Sequence, residues 1–163
     1  MFWRMSRAAA ACAIMVGGLG LGAARADCAL PAGAETEIRA LASQINGFRA
    51  SHGLAPLELA GPLMDSARSH ACTMVRTGVF THNGGGGAKA RMKRAGCRTH
   101  YSAENIAMGF ASGTKTMQLW VDSPGHRRIL LMRGMRKMGL GVAAPVPGQG
   151  GGPRWVLDVA AGC

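Results

Sequence analysis

The chain has 163 residues, nineteen lysines and arginines against eight acids, and a formal net charge of +11 at neutral pH. That length holds one hydrophobic core and excludes a second once a leader is set aside. The charge favours anionic surfaces by non-specific contact and argues for no specific nucleic acid. No C-x-x-C pair occurs, so a zinc ribbon or a dithiol redox motif has no support.

Residues 1–26 read as an export signal. Arg4 and Arg7 form a positive head, Ala8 to Ala24 is an apolar, glycine-interrupted run, and Ala24-Arg25-Ala26 is a small-x-small cleavage pattern. The run is short of the roughly 20 apolar residues a membrane span needs. Cleavage after Ala26 leaves a mature domain over 27–163, secreted or periplasmic, with a formal charge of +8. No later stretch is apolar enough to cross a membrane, so no integral membrane protein is expected, and we expect a monomer. Cys12 leaves with the signal. Cys28, Cys72, Cys97 and Cys163 remain, an even count that suggests two disulfides. Three pairings are possible. The usual closeness of domain termini favours Cys28 with Cys163 and Cys72 with Cys97.

Ile38, Leu41, Ile45 and Phe48 fall at helical spacing and predict a helix over 35–51, with Gly53 at its left-handed cap. A second helix starts near Pro62, carries the stripe Leu63, Ala67, Ala71 and Met74, and stops at Gly78. Residues 80–87 form a glycine-rich loop, and 88–95 a short basic helix. Glu104 to Ala107 is a short segment bounded by Gly109. A helix over 114–122, capped by Ser112 or Thr114, breaks at Ser123-Pro124-Gly125 and is followed by a helical turn over 126–131. Residues 138–144 and 155–160 read as strands. Helices followed by closing strands predict an α+β domain, with the helices packed on a small antiparallel sheet. Two basic clusters stand out, one from Lys89, Arg91, Lys93, Arg94 and Arg98, the other from Arg127, Arg128, Arg133, Arg136 and Lys137. Both suit solvated helix faces or contact with anionic envelope components.

Three residues carry the candidate chemistry: His82, Glu104 and His126. Two imidazoles and a carboxylate suit a divalent transition metal with a position left for water, Zn²⁺ being the first candidate. They also suit proton transfer. The spacing alone does not show that they meet. His52, His70 and His100 read as structural or solvated.

The order of the short motifs adds more. Asn46 and Arg49 precede Gly53-Leu54 and Pro56-Leu57. Then come Phe80-Thr81-His82, Glu104-Asn105-Ile106-Ala107, Trp120 with Ser123-Pro124-Gly125-His126-Arg127, Gly139-Leu140-Gly141-Val142 and Trp155-Val156. In this order, across roughly 41–161, the chain resembles the compact bacterial form of the cysteine-rich secretory protein, antigen 5 and pathogenesis-related superfamily (CAP, or SCP-like, domains). The resemblance implies a three-layer α-β-α sandwich with an open groove. It places His82, Asn83, Glu104, Asn105, Ser123 and His126 along that groove, with His82, Glu104 and His126 as metal ligands. Ser123 stands where the family often has a second glutamate, and Asp122 points about 100° away on a helix, so zinc binding is expected to be weak. The expected role is binding of a lipid, a sterol-like molecule or a cell-envelope glycan, with no catalytic residue assigned. The alternatives are a metal-assisted hydrolase of peptides or phosphodiesters, and a structural module contacting anionic envelope components.

Overall fold

A computed structural model describes residues 28–163. The signal peptide read over 1–26, its cleavage point and Cys12 lie outside the described residues. The elements in chain order are α1 (Ala34–Ser51), β1 (Glu58–Leu59), α2 (Gly61–Thr77), α3 (Ala88–Arg94), β2 (Ser102–Met108), α4 (Gly113–Asp122), α5 (Pro124–Leu130), β3 (Lys137–Ala143) and β4 (Arg154–Ala160), with a single 3₁₀ turn at Gly84–Gly86.

The helix ends follow their local chemistry. Gly53 takes a left-handed φ of 67° after α1, and the Leu54 N–H returns to the Arg49 carbonyl. Gly78 closes α2 with φ 70°. Ser112, not Thr114, caps α4: it has the extended backbone a cap needs, and its Oγ accepts the Lys115 N–H. Glu37 of α1 accepts the Gly113 N–H at 2.7 Å and joins the two helices.

The sheet has four strands in the order β1-β3-β4-β2, with β1 parallel to β3 and the other pairs antiparallel. Two strands exceed the sequence expectation. The two-residue β1 is too short to show a period. β2 carries Glu104 and Asn105 at its centre, which hides its apolar character although both side chains are buried. Alternation along the strands makes two faces. Met138, Leu140, Val142, Trp155, Leu157 and Val159 meet Leu41 and Ile45 of α1 and Met117 and Trp120 of α4. The opposite face packs Ile106, Ala143 and Val156 against Ala67, Ala71, Met74 and Val75 of α2. Helices thus cover both sides, giving an α-β-α sandwich with α+β order. Trp120 and Trp155 are fully buried. Their indole N–H groups donate to the carbonyls of Ile106 and Phe110.

On the α2 face, Gly139 and Gly141 alternate with large residues for a steric reason. A Cβ on Gly139 would stand 2.0 Å from the Leu63 carbonyl carbon, and one on Gly141 would stand 2.3 Å from the Arg68 nitrogen. The missing side chains let the α2 backbone lie directly on β3.

The disulfide pairing favoured from the sequence is corrected. Cys28 pairs with Cys72, and Cys97 with Cys163. The domain ends are not neighbours. The Ala29 carbonyl accepts the Ala144 N–H, placing Cys28 at the end of β3 beside α2. Cys163 follows Ala160, which pairs with Lys137 at the other end of β3 and with Ser102 at the start of β2. A seven-residue strand separates those ends by roughly 20 Å, which a disulfide does not span. The antiparallel β2–β4 pair instead brings Cys97, just before β2, to Cys163, just after β4.

Candidate ligand groove beside the outer strand

β2 is an edge strand, and the groove runs along it. Its walls come from Phe80-Thr81-His82-Asn83 on one side, Leu119 of α4 and His126 of α5 on the other, and Ile106-Ala107-Met108 along the strand; the hollow is about 680 Å³. Leu119 also lines a second hollow with Phe110, Gln118, Asp122 and Ser123.

The loop bearing His82 is built from backbone freedom and one arginine. Gly85, Gly86 and Gly87 take φ values of 64°, 80° and 86°, which side chains rarely adopt. A Cβ on Gly84 would stand 3.0 Å from the His70 ring, so the loop lies tight on α2. Arg91 of α3 then ties the loop down. Its guanidinium donates to the carbonyls of His82 and Gly84 and to Glu104 Oε2, while Arg94 donates to the Gly85 carbonyl.

Glu104 is 6% exposed and takes both Arg91 and His82, the latter through Nδ1 to Oε1 at 2.8 Å. Because Glu104 accepts from Arg91 and His82, Nδ1 is the protonated nitrogen of His82. In the neutral form of the ring Nε2 is then an acceptor. The His82 side chain is half exposed. His70 lies fully buried behind this pair, bonding the Thr81 carbonyl through Nε2, with Glu104 Oε1 4.0 Å away. Burial holds the His70 and His126 imidazoles below the ordinary histidine range, and for His126 the charge of His82 adds to it. Asn105 is buried and donates to the His126 carbonyl at 3.1 Å, fixing the start of α5 against β2.

Of the six residues expected along the groove, His82, Asn83 and His126 form its wall. Glu104 and Asn105 are buried beside it, positioning His82 and His126. Ser123 lines the neighbouring hollow instead. Among the described residues no group of three His, Cys, Asp or Glu side chains gathers closely enough to hold an ion, and Glu104 is paired with His82 and Arg91.

Two buried groups of this cluster, Arg91 and Asp158, escaped the sequence reading, while His70, read as structural or solvated, is buried. Arg91 sits in a run of bases that reads as a solvated face. His70 falls on the buried face of α2, three residues after Ala67. Asp158 interrupts the apolar strand Val156-Leu157-Asp158-Val159, and a lone acid in such a strand is the signal that could have found it. Asp158 is fully buried and pairs in register with Glu104. Its carboxyl is pushed up to about 8, by burial first and then by the charge of Glu104.

Comparison with known proteins matches this architecture to a described group. A profile of the cysteine-rich secretory protein family covers residues 42–156. The uncharacterized membrane protein YlbC of Bacillus subtilis is 32% identical over 99 residues, which is 60% of this chain and 29% of that protein. A Bacillus anthracis extracellular protein containing an SCP domain superposes with a TM-score of 0.68 at 23% identity, over 77% of this chain and 40% of the other. An outer surface protein of Borrelia burgdorferi superposes with a TM-score of 0.71 at 19% identity, over 79% of this chain and 95% of the other. The chain thus spans less than half of the length of the first two. The profile match, the ordered motifs and the sandwich with its edge-strand groove agree, and the chain belongs to the cysteine-rich secretory protein family.

Proposed function

We propose that this protein works outside the cytoplasm as a binding module, taking a small amphipathic ligand of the lipid or sterol class in the groove beside β2. The observation that carries the reading is the groove's composition. Phe80 and Met108 are 42% and 38% exposed and share the hollow with Ile106, Leu119 and two imidazoles. Large apolar side chains left open around a few placed polar groups are the usual make-up of a small-molecule site, and the volume falls in the usual range. The apolar wall would take the hydrocarbon body, and Nε2 of His82 would accept a hydrogen bond from a ligand hydroxyl. Export is supported by the two disulfides, which persist in oxidising compartments, by the leader-like first 26 residues, and by the extracellular and outer-surface descriptions of the similar structures.

The test is displacement of a fluorescent fatty acid or sterol from the purified protein. We expect saturable binding, weakened about tenfold or more by Phe80→Ser with Met108→Ser, since each buries a large apolar surface with the ligand. Absence of saturable binding, or binding untouched by the double variant, would overturn the reading. Calorimetry with zinc chloride separates the metal-assisted alternative. Binding of zinc near neutral pH that is lost in His82→Ala with His126→Ala would replace the lipid reading with a metal site in the same groove.

A further inference from the structure

A further hollow, of about 530 Å³, lies where the end of α1, the segment 53–56, β1 and the β3 lead-in meet, away from the groove. Its inner wall is Arg49, 1% exposed. Nε donates to the Ala55 carbonyl at 2.9 Å, and Nη1 to the Leu130 and Met132 carbonyls at 2.8 and 3.2 Å. Those carbonyls satisfy hydrogen bonds but carry no net charge. Among the described residues Arg49 has no carboxylate within 4 Å, and Nη2 donates to no protein acceptor. Burial correspondingly lowers its pKa from the ordinary arginine value. A buried cation without a counter-charge is costly.

At the mouth stand Arg133 and Arg136, both exposed and neither within 4 Å of a carboxylate among the described residues. Lys137 also lines the hollow, and its partner Glu58 is the only acid there. Four cations therefore face one carboxylate around a cavity of small-molecule size. Asn46 holds the rim in shape, donating to the Leu57 carbonyl and accepting its N–H.

We propose that this hollow is an oxyanion site that takes a phosphate group, with Arg49 as the fixed floor and Arg133 and Arg136 as the closing pair. Arginine presents a planar fork of donors that fits phosphate oxygens. An incoming phosphate supplies the negative charge that Arg49 lacks. The phosphate belongs either to a lipid headgroup or to a soluble phosphorylated compound.

Thermal melts in inorganic phosphate and in diphosphate, against chloride at matched ionic strength, test the site. A ligand that binds the folded state raises the melting temperature by mass action, so phosphate should raise it beyond the chloride control. Calorimetry should give a dissociation constant for diphosphate that weakens about tenfold or more in Arg133→Gln with Arg136→Gln, the cost of losing charge-assisted hydrogen bonds. Both positions are exposed, so the variant should melt like the wild type in chloride. Arg127→Gln with Arg128→Gln removes the same charge from α5 and should leave diphosphate binding unchanged. Co-sedimentation with phosphatidylglycerol vesicles, abolished by the first variant and competed by diphosphate, would assign a lipid headgroup. Diphosphate binding without vesicle binding would assign a soluble ligand. No phosphate-specific stabilisation, or equal weakening in both double variants, would overturn the proposal and leave only non-specific charge attraction.

Discussion

Asp158 and Glu104 face each other across β4 and β2, and only one of them has a cation. Arg91 and His82 serve Glu104, while Asp158 sits between its Gly139 neighbour on β3 and Glu104. Burial therefore favours the neutral acid at Asp158. Its folded value of about 8 exceeds the ordinary 3.8, so between those values the folded state holds a proton that the unfolded chain releases. Stability from this group should fall as pH rises from about 4 to about 8 and level off above. His70 and His126, held low by burial, act oppositely and cost stability as pH falls below their ordinary range. Urea midpoints for the wild type and Asp158→Asn between about pH 5 and pH 9 separate these terms, because the variant keeps the histidines. Above the histidine range, between about pH 7 and pH 8, the wild type should still lose stability while Asp158→Asn stays level; parallel profiles there would refute the raised value. Arg91 makes a second prediction at this scale. Removing it leaves Glu104 buried without its cation and frees the His82 and Gly84 carbonyls, so Arg91→Ala should cost about 3 kcal/mol or more in chemical denaturation. Arg91→Lys should recover only part of this, because one ammonium does not reproduce the three contacts.

At the scale of elements, glycines of opposite consequence can be compared directly. Gly141→Ala would drive a Cβ into the α2 backbone and should destabilise by at least about 2 kcal/mol, since helix and strand must part to admit it. Gly47 lies on the exposed side of α1 with nothing within 4 Å of its Cβ position. Gly47→Ala should stabilise by about 0.5 to 1 kcal/mol through helix propensity alone. Paired denaturant titrations would show whether the signs differ as stated. The longer helices were legible from the chain because their buried stripes recur at helical spacing, and α1, α2 and α3 stop at or beside glycines. β1 and β2 were not. One is too short for any period, and the other holds polar groups whose partners, Arg91 and His126, come from distant segments.

At the scale of the whole molecule, two crosslinks fasten the two ends of the described domain to separate parts of the sandwich. Cys28–Cys72 closes 44 residues, and Cys97–Cys163 closes 66. In the chain-entropy model each contributes roughly 4 kcal/mol by restricting the unfolded chain. Thiol titration of the protein in denaturant without reductant should find no free thiol among these four, and peptide mass mapping should recover these pairs. A Cys28–Cys163 peptide would mean that the two ends of the sheet are not where the strand registers put them. Iodide should quench Trp120 and Trp155 poorly in the native state, since both are fully buried.

The sequence by itself determined the α+β order, the helix limits and the family to which the motifs belong. It also pointed to the loop and the helix start that carry His82 and His126. These are properties of short windows, where spacing, caps and left-handed glycines act over a few residues. The tertiary structure decided what depends on distant partners. Strand register chose the disulfides, because it puts the ends of β2 and β4 together and the domain termini apart. Packing turned Arg91 inward onto Glu104 and made the two a buried ion pair. It also left Arg49 without a counter-charge beneath Arg133 and Arg136, 84 and 87 positions further along the chain. Charge compensation in a core is settled by which groups meet there, and no local pattern in the chain records that meeting.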